Sequence, residues 1–172
     1  MRLLVVGRLN GQLANAVKMA MSAGAAAASF LVYSFLNGLT LSVIFFAYSQ
    51  ASIFQAFITA AGMFGAMSLF GLLTKKDLTS WGSFFFMGLI GIVICSLVNI
   101  FVRSSALSFV VSIIGVFVFL GLTAWDNQKL KKLATVTGPQ QENVAIIGAL
   151  ALYLDFINLF LFLLRIFGNR RR

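Results

Sequence analysis

Only four side chains in the 172 residues carry a carboxylate: Asp77, Asp126, Glu142 and Asp155. There is no histidine, which removes imidazole acid–base chemistry and the common zinc sites. The single cysteine, Cys95, lies in an apolar run, so neither a disulfide framework nor a thiolate metal cluster can form within the chain. No nucleophile–base pair is present either, so the sequence predicts no enzyme and no resident cofactor. Asp155 stands inside ALYLDFINLFLFLLRIF, roughly 11 residues and about 16 Å into an apolar helix. A charge at such depth costs at least ~2.5–3.5 kcal/mol and belongs against a bundle interior or a water-filled space. Asn158 follows at i+3 and is placed to steady it. Arg165, about 15 Å further along the same helix, is too far to pair with it. Asp155 therefore needs a partner from another helix, water, or a proton.

Asp126 is the candidate partner. It ends the apolar run SFVVSIIGVFVFLGLTAW and begins DNQKLKKL, and one antiparallel connection brings that end beside the start of the last span. At a helix C-terminus a carboxylate opposes the macrodipole. Two readings stay open: Asp126 pairs with Lys129 at i+3 as surface decoration, or it meets Asp155. In the second case the two acids share one proton and titrate as a unit. Protonated, the pair ties two helices together; ionised, it repels and invites a cation. Calcium prefers oxygen ligands but needs about six to eight of them, so Asp126 and Asp155 with Asn158, carbonyls and water make a weak transit site.

The elements that must position these residues are membrane spans. With 60% hydrophobic residues, 10% charged and a mean hydropathy of +1.00, the chain is too apolar for a soluble domain of this length. Five runs approach the ~20 residues a spanning helix needs: Ala20–Phe46, Ser52–Leu73, Phe84–Val102, Leu107–Trp125 and Val144–Phe167. The short breaks between them imply antiparallel neighbours in a compact bundle. The only proline, Pro139, falls with Gly138 in the longest break, where it interrupts no span. The expected fold is all-α, a polytopic bundle over residues 20–168, preceded by a remnant helix or linker over 1–19 and followed by a basic tail over 169–172. Small residues at Ser22–Ser29, Gly62/Gly65, Gly88/Gly91 and Gly115/Gly121 are expected helix contacts.

The net charge of +9 sits in the breaks rather than on a basic, aromatic-laced face, which argues for a lipid bilayer and against nucleic acid as partner. Arg2, Arg8, Lys18, Lys75, Lys76, Lys129, Lys131 and Lys132 alternate onto one face, expected to be cytoplasmic. Arg103, Arg165, Arg170, Arg171 and Arg172 fall on the other, against the rule. Either the tail is translocated despite its charge or the last segment stops short of crossing. Polar stripes recur at helical spacing: Cys95, Asn99 and Arg103, and Ser34, Asn37 and Thr40. They serve either as pore lining or, more commonly, as interhelical hydrogen bonds. Trp81, Trp125 and Tyr153 suit interfacial positions.

The segments GLTAWDNQKLKKL, ALYLDFINLFLFLLRIFG, YSFLNGLTLSVIF and TAAGMFGAMSLFGLLTKKDLTSWGSFFFMGLIGI together resemble the transmembrane Bax inhibitor motif family, in particular its bacterial Bax inhibitor-1-like members. The similarity runs from about Lys18 to Gly168. It implies a bundle of usually seven spans with the last helix central, and a pH-sensitive calcium leak or exchange gated by two aspartates that map onto Asp126 and Asp155. Against that pattern the chain lacks the first helix and most of the second, leaving Met1–Ala20 as a remnant. The acid usual in the second helix is missing, Lys18 stands only near its arginine's place, and Trp125 replaces a tyrosine.

The resulting expectation is a multi-pass protein of the bacterial inner membrane that passes calcium or a similar cation. Asp126 and Asp155 sense protons, and Asn158, Asn99, Arg103 and Asn37 line or support the path. The competing expectation is a non-conducting regulator that binds a membrane protease or another membrane complex.

Overall fold

The computed structural model describes residues 23–134 and 141–168. The expected remnant helix over 1–19 and the basic tail over 169–172 lie outside the described residues, as does the side chain of Glu142. The described residues form helices and no strand: α1 (Ala23–Leu41), a short α2 (Ile44–Ala47), α3 (Gln50–Leu73), α4 (Thr79–Val102), α5 (Ser105–Leu133) and α6 (Gln141–Phe167). Five stretches are long and apolar enough to cross a membrane, with α1 and α2 together making the first. The 24 residues of α3 extend about 36 Å at 1.5 Å per residue, enough for the hydrocarbon core with some tilt.

Local chemistry sets the ends. The first span is not one continuous helix to Phe46: the Ser42 hydroxyl donates to the Leu39 carbonyl at 2.6 Å, and the Ser42 amide is shared between Gly38 and Leu39. That back-bonding competes with the regular ladder and breaks the helix before α2. Ser49 caps α3 by accepting from the Ser52 amide, and Ser104 caps α5 by accepting from Leu107. The largest departure from expectation is α5, which does not end at Trp125 but continues two turns through the lysines to Leu133.

Those two turns are fastened to the α3–α4 end. Gln128 accepts from the Leu78 amide at 2.8 Å and donates to the Lys76 carbonyl at 2.7 Å. Asn127 donates to the Ser68 hydroxyl on α3 at 3.1 Å. Lys131 donates to the Leu72 carbonyl in the last turn of α3, where a cation complements the negative dipole end. Lys132 pairs with Asp77 at 2.8 Å. Asp77 also accepts from the Thr79 amide and hydroxyl at the start of α4. With the Lys132 ammonium first and Thr79 second, these contacts hold its carboxyl at about 2, below the ordinary 3.8.

α5 and α6 share the centre. α5 packs on α3, α4 and α6, while α6 packs on α1, α3 and α5. Their facing sides hold most of the core, including Val111, Val116, Phe119, Leu122, Leu159, Phe162, Leu163 and Leu164, with Ala56 and Ala60 from α3. Outward faces such as Phe46, Phe101 and Phe117 are exposed, as lipid-facing side chains must be. Close approach falls at only some of the expected glycines. Gly88 lies against Val118, Gly115 against the Phe162 ring and Gly121 against the Phe85 ring. Gly62, Gly65 and Gly91 have no neighbour at the position a Cβ would take, so they are not helix contacts among the described residues. Four contacts escaped the spacing: Gly71 lies against the Ala124 backbone, Gly82 under the Trp125 ring, Gly148 against Leu130 and Gly168 beside Tyr48.

Candidate functional site

Asp126 is carried by α5 and Asp155 by α6, the two helices in the most extensive contact. Because α5 continues to Leu133, Asp126 stands two turns before the helix end. It is therefore clear of the dipole penalty that a terminal position would carry, since that effect fades within the last turn. Asp155 is 5% exposed and Asp126 half-buried. Their carboxyl groups interact directly with each other, and Asp155 also lies near Thr123, whose hydroxyl donates to the Phe119 carbonyl at 2.8 Å one turn back on α5. One carboxyl oxygen of Asp155, Oδ2, is buried with no hydrogen-bond partner. A buried polar atom left in that state is costly unless a proton, a water or an ion completes it.

Asp126 faces a cation from its own helix, as the Lys129 ammonium interacts with it electrostatically. Lys129 makes no ion pair with it, however: the ammonium sits 4.8 Å from the centre of the Trp125 ring. The surface pairing left open by spacing is thus not formed. A cavity of about 170 Å³ opens on Asp126, walled by Lys129, Leu130, Leu133, Ile147, Gly148 and Ala151. It gives the carboxyl pair an approach from the lysine-rich end of the bundle.

Below the pair the interior is closed by aromatic packing. Phe119 and Phe162 are both buried, with ring centres 5.8 Å apart, and Leu159 beside them is fully buried. Beyond this layer Ser112, also buried, donates to its own helix at Ser108. Ser112 then forms part of the wall of a second cavity, at the opposite end of the bundle.

The supporting residues divide. Asn158 does not bond to Asp155: its amide donates to the Leu154 carbonyl at 2.8 Å, one turn back on its own helix. Asn37 donates to the Tyr153 hydroxyl at 3.4 Å, an interhelical bond. Tyr153 also takes edge contacts from Phe30 and Tyr33 and so packs between α1 and α6. Asn99 accepts from the Ser104 amide and so shapes the α4–α5 turn. Arg103 is the exposed cap of α4, and Cys95, one turn before Asn99 on the same stripe, faces outward. Asn99 and Arg103 line the far cavity and are not near the carboxyl pair. Among the described residues no group of three or more acidic or cysteine side chains comes together to hold a metal ion.

The last helix runs the full length of the bundle, since Gly168 packs beside Tyr48 and shares the far cavity with Arg103.

A polytopic bundle of membrane-spanning helices, with a carboxyl pair buried between its last two helices, is the class of protein these features define. The chain belongs to the Bax inhibitor-1-like family, matching the family described as Inhibitor of apoptosis-promoting Bax1 over residues 3–172. It is 52% identical over 179 aligned residues to the inner membrane protein YbhL of Escherichia coli K12, covering 99% of this chain and 76% of that protein. It is 52% identical to the protein RP147 of Rickettsia prowazekii, covering 83% of this chain and 61% of the relative. A Deinococcus radiodurans protein is 54% identical, with 88% of this chain and 66% of the relative covered.

Proposed function

We propose that this chain is a pH-sensitive leak for calcium or a similar cation, gated by the Asp126/Asp155 pair, in a bacterial inner membrane. The observation that carries the reading is the carboxyl pair itself: two acids from adjacent helices within reach of each other, one with a buried, unpartnered oxygen, at the end of a cavity. A shared proton holds such a pair together, and losing it leaves two like charges that part and attract a cation. Family membership supports the reading, and the similarity to an inner membrane protein of Escherichia coli supports the choice of membrane. The Phe119–Phe162–Leu159 layer beneath the pair corresponds to the closed state. Two carboxyls with no further acid beside them among the described residues suit passage of calcium rather than its storage. The full chain in calcium-loaded liposomes tests this: efflux rises with pH, whereas efflux absent at every pH counts against it.

A second reading has its own observation. The far end of the path is lined by Arg103 and Arg165, and cationic walls repel calcium. On that reading the chain conducts nothing and regulates a membrane protease or another membrane complex through its helix faces. Stoichiometric co-purification of such a partner, together with liposomes that hold calcium at every pH, favours it.

A further inference from the structure

At the end of the bundle away from the carboxyl pair, α2, the end of α4, the start of α5 and the end of α6 surround a cavity of about 450 Å³. That size is within the range of about 300–1,000 Å³ usual for small-molecule sites. Its walls include Arg103, Arg165, Tyr48, Asn99, Ser105 and Ser108, with no acidic residue among the described residues that line it. Neither arginine forms an ion pair among the described residues. Arg165 lies over the Phe162 ring at 5.4 Å, which orients the cation without neutralising it.

Helix ends do not balance this charge. α4 and α6 bring two negative dipole ends worth about half a charge each, while the start of α5 returns about half a positive one. Both arginines are exposed, and roughly one and a half positive charges are left at the cavity without a protein counter-charge among the described residues. Arg103 is, moreover, the one non-glycine residue at positive φ among those described, at 52°. Glycine is the ordinary choice at such a helix cap. A guanidinium kept there at the cost of backbone strain is the pattern of a ligand clamp. The two arginines also stand at the pole opposite Lys75, Lys76, Lys131 and Lys132, on the side that positive-inside bias keeps poor in cations.

We propose that this cavity binds a phosphate-bearing anion, in the first place the phosphodiester headgroup of an anionic lipid in the leaflet opposite the lysine-rich pole. The planar fork of each arginine fits phosphate oxygens in pairs. Serine and tyrosine hydroxyls supply neutral donors, and the start of α5 adds its amide dipoles. Phe109 forms part of the wall and is itself half exposed on the lipid-facing surface, which gives acyl chains a way out of the site. A bound phosphate satisfies the charge left by the helix ends and accounts for arginines on this face.

Native mass spectrometry of the full chain in detergent, titrated with phosphatidylglycerol, phosphatidylcholine or inorganic phosphate, tests the site. Wild type binds phosphatidylglycerol about tenfold more tightly than phosphatidylcholine, and the Arg103→Gly/Arg165→Gln double variant loses about that factor. The Lys75→Gln/Lys76→Gln variant at the opposite pole keeps it. Arg103→Gly alone relaxes the cap, so weakened binding with an undiminished thermal midpoint separates loss of the ligand contact from loss of fold. Inorganic phosphate that competes with the lipid, with the same arginine dependence, assigns the site to free phosphate; failure to compete assigns it to the headgroup. Equal binding of both lipids with no arginine-dependent phosphate binding, or a double variant that binds as wild type does, overturns the proposal.

Discussion

Gln128 of α5 closes on the α3–α4 turn from both sides, accepting from the amide of Leu78 and donating to the carbonyl of Lys76. This clamp fixes the turn of helix next to Asp126, so the carboxyl pair sits on a braced strut rather than at a loose helix end. Gln128→Ala leaves both loop groups without their partner and lowers stability by about 1–3 kcal/mol. Unfolding by denaturant in detergent reads that loss directly; a variant as stable as wild type would show that water replaces the side chain at no cost.

The ion pair next to the clamp titrates in a different range. Asp77 is held at about 2 by Lys132 and Thr79, below its unfolded 3.8. A folded value below the unfolded one means the stabilisation is complete above about pH 4 and is lost as pH falls through 2. Both partners are exposed, so the effect is small and fades in high salt. Asp77→Asn accordingly removes a shallow, salt-sensitive decline in thermal midpoint on acidification, and an unchanged decline would assign it to other carboxyls.

Glycines separate by what they touch. Gly71 rests on the Ala124 backbone, which cannot swing aside, so Gly71→Ala pushes α3 off α5 and costs about 1–3 kcal/mol. Gly62 faces open space, and Gly62→Ala is neutral or stabilising by up to about 1 kcal/mol through helix propensity. Parallel unfolding curves of the two variants check the contrast, which disappears if α3 packs differently.

Phe162 fills the space left by Gly115 and stacks near Phe119 in the closed layer under the carboxyl pair. Phe162→Ala opens that layer at a cost in stability of about 3–5 kcal/mol. Phe119→Leu, closer in volume, thins the layer while sparing more of the core. If this layer closes the path, basal calcium efflux at low pH rises severalfold in both variants. Efflux as low as wild type in folded protein would move the closure elsewhere.

Much of the architecture was legible from apolar run lengths, because lipid demands about 20 apolar residues per helix whatever the tertiary contacts. The placement of Asp126 beside Asp155 was legible in part: one connection brings their helices together, but spacing alone left Asp126 free to pair with Lys129 instead. The end of α5 was not legible. Its charged run DNQKLKKL looks like a loop when each side chain is assigned to solvent, but Asn127, Gln128, Lys131 and Lys132 all reach across to α3 or the turn after it. Helix spacing put Asn158 beside Asp155 without revealing that its amide would return to its own backbone. Glycine pairs marked the small surfaces but not which of them met a neighbour. That depends on helix rotation, which a uniformly apolar sequence specifies poorly.

The central claim is that protonation of the Asp126/Asp155 pair controls passage, and it rests most directly on Asp155, the more deeply buried of the two. The deciding measurement is calcium efflux from proteoliposomes as a function of pH for wild type and Asp155→Asn. The neutral amide cannot ionise, so the rise of efflux with pH expected of wild type disappears in the variant. A folded Asp155→Asn protein whose efflux follows pH as wild type does contradicts the account.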